Sequence, residues 1–310
     1  MLKNWIGVVF VIGLSIPGLA QTSEIVRVGN LEGSLMIPTT KAKVPVVLII
    51  AGSGPTDRNC NSAFGIQTNA YKLLAEALAA QGIASLRYDK RGVGKSKVAD
   101  LDEAELSFNT FSNDALNWIK KIKDDQRFSN VFVLGHSEGS LVGIMAAQQA
   151  KISGFISVAG AGQPADAVIL GQLKEQPEHI QQEVKQVFAT LKQGRTVDSI
   201  PTYLLSLLRP SLQPYLISWM ALDPAVELAK LKTPVMIIQG DNDLQVPVAE
   251  AEKLHEAVPK AQLLILEGMN HVLKKCEPDR SSNLATYSQP ELPLIDGLVK
   301  GIADFIKSVE

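Results

Sequence analysis

The fold of this chain is decided by the stretch Asn130-Val131-Phe132-Val133-Leu134-Gly135-His136-Ser137-Glu138-Gly139-Ser140-Leu141-Val142-Gly143. It begins with an apolar, β-branched run typical of a strand and ends in an apolar run typical of a buried helix. A G-x-S-x-G pattern between a strand and a helix predicts a nucleophile elbow. Glycines suit so sharp a turn because a Cβ there would collide with neighbouring backbone. By itself the pattern also fits an ordinary turn serine, so the prediction that Ser137 is a nucleophile depends on the rest of the chain.

A nucleophilic serine needs a general base, and the chain has four histidines. His136 lies inside the turn itself, and we expect its side chain to point away from the serine. His179 and His255 lie in polar or charged helical segments. His271 follows an apolar strand, in a loop with Gly and Asn, which is a suitable position for a general base. We therefore predict His271 as the base, with an ordinary surface-loop histidine as the alternative.

Two aspartates are candidates for the acid that would orient this base. Asp241 and Asp243 both lie in the loop that follows the apolar run 234–239. The acid would hold one tautomer of His271 and stabilise the imidazolium that forms during the reaction. The aspartate without this role is expected to shape the loop by accepting hydrogen bonds from nearby backbone N–H groups.

With these segments the chain resembles the α/β-hydrolase superfamily over nearly all of its length beyond residue 20. The candidates follow the order Ser, Asp, His along the chain, which is the order of that superfamily's triad. The resemblance extends to the G-x-x-D-x-x-V-P loop 240–247, and it implies that Asp243 is the acid. It also extends to the D-x-R-G-x-G-x-S loop 89–96, where it implies a structural ion pair between Asp89 and Arg91.

A further segment narrows the resemblance. A buried apolar strand is followed by the segment Ala51-Gly52-Ser53-Gly54-Pro55-Thr56-Asp57-Arg58. Together with the motifs G-H-S-E-G and G-M-N-H, this segment is similar to the EstD-type carboxylesterases. These are a bacterial group often placed with serine aminopeptidase-like hydrolases. The similarity implies an oxyanion hole made by the backbone N–H groups of Glu138 and Ser53, with Gly54 as the alternative to Ser53. Asp57 and Arg58 are expected to hold the loop, and contact with substrate is the alternative.

Composition narrows the class of protein. The chain has 310 residues, a formal net charge of -2 and 46% hydrophobic residues, which suits one domain with an insertion. Its charge is almost balanced and no basic stripe is present, so nucleic acid is not expected as a partner. The sequence contains no HExxH, CxxC or Gly-rich phosphate loop, and we expect neither a metal ion nor an organic cofactor.

The first twenty residues have the layout of a cleavable secretory signal. One basic residue precedes an apolar stretch, and a small residue, Ala20, stands where cleavage is expected. The alternative is a membrane anchor, but the stretch is shorter than a full span. We therefore predict a signal peptide over 1–20, export to a periplasm or beyond, and no stable membrane anchor after cleavage.

Export changes what is expected of the two cysteines, Cys60 and Cys276. An oxidising compartment would permit a disulfide between them. Such a bridge would tie the loop after the oxyanion strand to the loop of His271. Two free thiols are the alternative.

Strands alternate with helices along most of the chain, which predicts an α/β fold with a mostly parallel central sheet covered by helices on both faces. We expect residues 21–162 and 233–310 to form this α/β-hydrolase core. Residues 163–232 break the alternation and are expected to form a helical cap between the sixth and seventh core strands. Its apolar side chains would line a substrate pocket or simply pack against the core.

The most economical hypothesis is a serine carboxylesterase that hydrolyses small to medium esters through Ser137, Asp243 and His271. Its partner would be a small-molecule ester. A serine peptidase or amidase and a thioesterase are alternatives that would use the same triad. A hydrolase-fold binding protein without catalysis is the alternative from another class.

Overall fold

The computed structural model describes residues 21–97 and 101–309, so the predicted signal peptide 1–20 lies outside it. The strands are β1 Gln21–Val28, β2 Leu31–Pro38, β3 Val44–Ile50, β4 Asn61–Ser62, β5 Ile66–Gln67, β6 Ala84–Tyr88, β7 Phe128–His136, β8 Gly154–Val158, β9 Val235–Gly240 and β10 Gln262–Leu266. The helices are α1 Ala70–Ala80, α2 Phe108–Lys123, α3 Glu138–Ala147, α4 Ala165–Gln172, α5 Glu178–Leu191, α6 Leu205–Leu208, α7 Gln213–Met220, α8 Pro224–Leu228, α9 Val248–Ala257, α10 Arg280–Ala285 and α11 Leu298–Val309.

Eight strands form the central sheet, in the order β1-β2-β6-β3-β7-β8-β9-β10. β1 and β2 form an antiparallel hairpin, and β2 is antiparallel to β6. From β6 to β10 every neighbouring pair is parallel. The predicted mostly parallel sheet is therefore confirmed, and β7, which leads into Ser137, lies between β3 and β8.

Helices cover both faces of this sheet, as the alternating sequence predicted. On one face Val46, Leu48 and Ile50 of β3 pack in a buried cluster with residues of α2 and α3. On the other face Val47 and Ile49 pack with residues of α1 and α11. Side chains alternate between the faces of a strand, so a continuous apolar run such as β3 supplies both clusters.

The segment between β8 and β9 is helical and has an apolar cluster of its own. This cluster includes Val184, Phe188 and Leu191 of α5 together with residues of α4, α6 and α7. Leu228 of α8 instead belongs to the core cluster under α2 and α3. The helices α4 to α7 thus form a separate layer, whereas α8 packs with the body of the domain.

Aromatic rings join this layer to the body. Phe108, at the start of α2, stacks on Tyr215 and Trp219 of α7 with ring centroids 6.0 and 6.1 Å apart. Arg209 also forms an ion pair with Glu103, with Nε and Oε2 2.8 Å apart.

Among residues 21–97 and 101–309, no helix has the length and apolar character needed to cross a membrane.

Candidate active site

Ser137 occupies a strained turn at the carboxyl end of β7, a central strand of the sheet. It lies between β7 and α3 with φ at +55°, in the left-handed region that side chains other than glycine rarely adopt. A Cβ on Gly135 would overlap the carbonyl oxygen of Gly139, and a Cβ on Gly139 would overlap that of Ile50. The two glycines are therefore required by close backbone approach, and the turn leaves Ser137 partly exposed at the N-terminus of α3.

Two neighbouring loops bring an imidazole and a carboxylate together beside this turn. Asp243 follows β9 and His271 follows β10, and the imidazole Nδ1 lies 2.8 Å from Asp243 Oδ2. An ionised carboxylate only accepts, so Nδ1 carries the proton and Nε2 is left free to act as a base. The His271 ring lies 4.8 Å from the ring of His136, the residue that precedes Ser137. Among the described residues the Ser137 hydroxyl makes no hydrogen bond.

The Asp243 carboxylate is buried and surrounded by donors. Its Oδ1 accepts hydrogen bonds from the backbone N–H groups of Gln245 (2.7 Å) and Val246 (2.9 Å). Burial by itself raises the pKa of Asp243. The charge of His271 and the hydrogen bonds from His271 and these N–H groups lower the pKa by more than burial raises it, so the net pKa lies below its ordinary value. The carboxylate is therefore held in its charged form.

Sequence reasoning missed one donor to this carboxylate. Gln239, the fifth residue of β9, is fully buried, and its Nε2 donates to Asp243 Oδ2 at 3.1 Å and to the carbonyl of Val246 at 2.8 Å. The available signal was a polar residue near the end of an otherwise apolar buried strand, because a buried amide needs partners.

Asp241, the competing aspartate, has a different partner. Its Oδ1 accepts a hydrogen bond from the backbone N–H of Gly268 at 2.6 Å. This contact joins the loop after β9 to the loop after β10. Asp241 thus shapes the loops, and Asp243 is the aspartate that meets His271.

The backbone N–H groups expected to form an oxyanion hole lie on either side of Ser137. The loop 51–58 passes so close that a Cβ on Gly52 would lie 3.1 Å from the Cβ of Ser137. Within the described ranges, no acceptor is hydrogen-bonded to the N–H of Ser53, Gly54 or Glu138. These groups have no partner within the described protein, as an oxyanion hole requires, and both Ser53 and its alternative Gly54 meet that requirement.

Asp57 and Arg58 hold the loop 51–58 in place, as expected. Asp57 Oδ1 accepts hydrogen bonds from the backbone N–H groups two and four residues further on, at 2.8 and 2.9 Å. Arg58 is buried and forms ion pairs with Glu32 (2.6 Å) and Asp89 (2.9 Å). Both side chains are therefore occupied by the protein's own groups.

The predicted ion pair between Asp89 and Arg91 is wrong. Arg91 pairs with Asp114 of α2, with Nη2 and Oδ1 2.7 Å apart. Asp89 instead faces inward, where it accepts hydrogen bonds from Arg58 and from the N–H of Lys95 at 2.8 Å. The Asp89 carboxylate is occupied by Arg58 and Lys95, whereas Arg91 reaches α2, so closeness in sequence does not bring the charges of Asp89 and Arg91 together.

The structure contains both cysteines as free thiols, which is the second of the two alternatives. Cys60 is buried, and burial raises the pKa of its thiol to about 11. Cys276 is partly exposed, and its Sγ lies 3.8 Å from both Asn242 Nδ2 and the carbonyl oxygen of Gly268. A bridge between Cys60 and Cys276 under oxidising conditions stays a prediction, which intact mass before and after reduction and alkylation measures.

A cavity of about 600 Å³ lies beside the Asp243 loop. Helices α4 and α5 and the N-terminus of α9 enclose it, and amide side chains such as Gln163, Gln172 and Gln245 line it.

In the part of the chain that the structure describes, no three His, Cys, Asp or Glu side chains are grouped so that they could hold a metal ion.

Comparisons with known proteins agree with this architecture. A family model described as serine aminopeptidase, S33 matches residues 63–279. Esterase EstD of Thermotoga maritima is 28% identical over 253 residues, which are 80% of this chain and 59% of that protein. The chain therefore spans less than two thirds of that relative's length.

Solved structures show the same fold at low sequence identity. Est1E from Butyrivibrio proteoclasticus has a TM-score of 0.60 at 17% identity, covering 93% of this chain and 98% of its own. The Pyrococcus furiosus esterase Pf2001 has a TM-score of 0.57 at 17% identity, covering 94% and 91%. Since the family model matches more than half of the residues, this chain belongs to the serine aminopeptidase S33 family and has the α/β-hydrolase fold.

Proposed function

We propose that this protein is a serine carboxylesterase whose nucleophile, base and acid are Ser137, His271 and Asp243. The observation that carries the proposal is that the three residues follow the carboxyl ends of three parallel strands, β7, β9 and β10, of one sheet. A serine on a strained turn directly follows His136, whose ring lies 4.8 Å from the ring of His271, and the Nδ1 of His271 is 2.8 Å from a buried carboxylate. This arrangement suits acyl transfer because one group attacks, one moves the proton and one orients the base.

The proposed reaction has two steps. His271 Nε2 takes the proton of the Ser137 hydroxyl as its oxygen attacks the ester carbonyl, and the N–H groups of Ser53 and Glu138 bind the oxyanion. The protonated imidazole then gives its proton to the leaving alkoxide, which leaves an acyl-serine. Water, activated by the same imidazole, releases the acid and restores the hydroxyl.

An ester is favoured as substrate over an amide or a thioester. The curated relative that covers most of this chain is named an esterase. The family description, serine aminopeptidase, keeps a peptide substrate as the second candidate for the same triad. Small to medium acyl groups are proposed, and the natural ester is to be identified by the acyl length that is hydrolysed fastest.

The first test uses the chain from Gln21 onward with p-nitrophenyl esters of graded acyl length and amino-acid p-nitroanilides in parallel. We expect rapid hydrolysis of esters and little of anilides. Faster hydrolysis of the anilides would replace the esterase proposal with an aminopeptidase, and hydrolysis of neither would favour the binding-protein alternative.

Ser137→Ala tests the nucleophile. We expect it to lower ester turnover by at least about 1,000-fold, since removing a nucleophile leaves only binding and oxyanion stabilisation. Ser129→Ala is the matched control, because Ser129 is exposed at the far end of the same strand, β7. Turnover that survives in Ser137→Ala would show that another group attacks the ester.

We further propose that the protein is exported and acts on a small-molecule ester rather than on nucleic acid. The proposed export rests on the signal-like layout of residues 1–20. The preference for a small-molecule ester over nucleic acid rests on the formal net charge of -2. Expression of the whole chain in a bacterium followed by N-terminal sequencing of the periplasmic fraction tests export. The expected first residue is Gln21, and an uncut chain retained in the membrane would contradict the proposal.

A further inference from the structure

A series of buried hydrogen bonds runs beneath Ser137 and connects two loops of the proposed site. The backbone N–H of Gly52 donates to the Tyr71 hydroxyl at 3.3 Å, and that hydroxyl lies 2.7 Å from His136 Nδ1. His136 Nε2 lies 2.8 Å from the carbonyl oxygen of His271. Tyr71 is 1% exposed and His136 is 3% exposed, so both side chains make these contacts away from water.

The chemistry of the partners settles where each proton lies. The carbonyl of His271 can only accept, so His136 Nε2 carries a proton and His136 Nδ1 is an acceptor. The Tyr71 hydroxyl therefore donates to Nδ1, and its oxygen accepts the N–H of Gly52. Each group in the series has one compatible role, and the bonds point in one direction from Gly52 to His271.

His136 keeps this neutral form over the ordinary pH range. Burial and the neighbouring imidazole of His271 lower the pKa of His136 to about 3. A protonated His136 would donate from both nitrogens and could not accept from Tyr71. The series is therefore not broken by protonation near neutral pH.

The other side of the Gly52 backbone is held by a buried lysine. Lys90 is 6% exposed, and its Nζ donates to the carbonyl oxygen of Gly52. That carbonyl and the N–H of Ser53 belong to the same peptide unit, and the described chain has no cis peptide bonds. In a planar trans unit the two groups point in opposite directions. Fixing the Gly52 carbonyl therefore fixes the direction in which Ser53 can donate.

We propose that Tyr71 and His136 are positioning residues that hold the Ser53 donor and the His271 base in register with Ser137. The inference rests on the proposed function, because it assigns the two side chains a role in that reaction. The loop of Gly52 and the loop of His271 lie far apart in the sequence, and both cysteines near them are free in the structure. The hydrogen bonds through Tyr71 and His136 connect the two loops whether or not these cysteines are bridged.

Tyr71→Phe tests the proposal because it removes one oxygen and with it the hydrogen bonds to Gly52 and His136. We expect kcat for a p-nitrophenyl ester to fall about 10- to 100-fold, as small misplacements of reacting groups do. KM should change little, because the displaced groups act mainly in the transition state. Rates are to be expressed per active site titrated with diethyl p-nitrophenyl phosphate, so that misfolded protein does not count. Tyr203→Phe, which removes an exposed hydroxyl bonded to Glu183, is the matched control.

Two substitutions at His136 break the series at one end each. His136→Asn keeps an acceptor near the Nδ1 position and loses the donor to the carbonyl of His271. His136→Gln places an amide N–H near the Nε2 position and loses the acceptor for Tyr71. Because all the bonds belong to one series, each should lower kcat, and adding Tyr71→Phe to His136→Gln should cost little more.

The outcomes separate this inference from the proposed function. If the parent chain does not hydrolyse esters, both are overturned. If the parent is active while Tyr71→Phe and His136→Asn keep its kcat per titrated site, only the positioning role is overturned. The same holds if the variants merely reduce the number of titrated sites, since that is a folding defect. A ¹⁵N spectrum of the parent should show His136 protonated at Nε2, and protonation at Nδ1 would overturn the proposed direction of the bonds.

Discussion

At the scale of single residues, the environment of Asp243 shows how a buried carboxylate is kept charged. Four N–H donors reach its two oxygens, from Gln239, Gln245, Val246 and His271. A buried charge without such partners would cost several kcal/mol and would neutralise itself by taking up a proton. The carboxylate is therefore able to orient His271 because other groups solvate it in place of water.

Gln239→Met tests this account. The change keeps the size of the side chain but removes a donor to Asp243 and leaves the carbonyl of Val246 with one partner fewer. We expect kcat/KM to fall about 10-fold, and the free energy of unfolding to fall by about 1–3 kcal/mol, as for a lost buried hydrogen bond. Ester kinetics and urea unfolding measure the two effects.

Gln149→Met is the control for this prediction, since Gln149 is exposed and its amide donates to the carbonyl of Met145, four residues earlier in the same segment. It should leave both quantities unchanged. A Gln239→Met enzyme that is less stable but keeps its full kcat/KM would show that Asp243 does not depend on this donor.

At the scale of elements, the turn between β7 and α3 depends on how closely the two backbones approach. The strand and the helix can meet at Ser137 only because Gly135 and Gly139 leave room for neighbouring carbonyl groups. The strain at Ser137, with φ at +55°, is maintained by this packing. The turn is thus a property of both elements together and not of the serine alone.

Gly135→Ala should disrupt this turn. Its new methyl group would overlap the backbone of Gly139, so the strand or the helix must shift. We expect a loss of about 3 kcal/mol in the free energy of unfolding, at the upper end of what overpacking costs. We also expect ester turnover to be almost lost, and urea unfolding together with p-nitrophenyl ester kinetics measures both.

Gly171→Ala provides the matched control in helix α4. A Cβ at Gly171 would meet no atom within 4 Å, so the change should stabilise the helix by about 0.5 kcal/mol. If Gly135→Ala behaved like Gly171→Ala, the close approach described for the turn would not exist in solution.

At the scale of the whole molecule, ionisable groups make stability depend on pH. Among the described residues, donors and opposite charges hold the pKa of six carboxyl groups below its ordinary value, against the raising effect of burial: Glu32, Glu103, Asp125, Glu227, Asp243 and Asp279. Burial raises the pKa of Asp114, which acts in the opposite sense. The balance favours the folded state when the carboxylates are charged.

We therefore expect the protein to lose stability in acid. A group whose pKa is lowered by folding stabilises the protein fully above its unfolded pKa, about 4, and loses that contribution as pH falls through its folded pKa. Buried His136, whose pKa is lowered to about 3, adds to this loss because only the unfolded chain takes up its proton between pH 7 and 5. The free energy of unfolding in urea should accordingly be smaller at pH 5 than at pH 7 and smaller again at pH 3. Asp243→Asn should show a smaller drop, and equal values at pH 7 and 3 in the parent would contradict the assignment.

The sequence by itself determined the parts of this protein that depend on local pattern. Continuous apolar runs predicted the buried parallel strands, because such strands face helices on both sides. The spacing of Gly135 and Gly139 predicted the sharp turn at Ser137, and a loop at a strand end was a sufficient reason to select His271. Where a resemblance was needed, the spacing in the loop 240–247 selected Asp243, and this aspartate meets His271 in the structure.

Only the tertiary structure decided which distant polar groups meet. Asp89 pairs with Arg58 and not with Arg91, because the turn between them directs the two side chains apart. The contact of Tyr71 with His136 joins residues that are 65 positions apart in the chain. Hydrogen bonds and ion pairs act over a few ångströms and require particular directions. Their partners are therefore set by the packing of strands and helices in three dimensions, which no local pattern of residues contains.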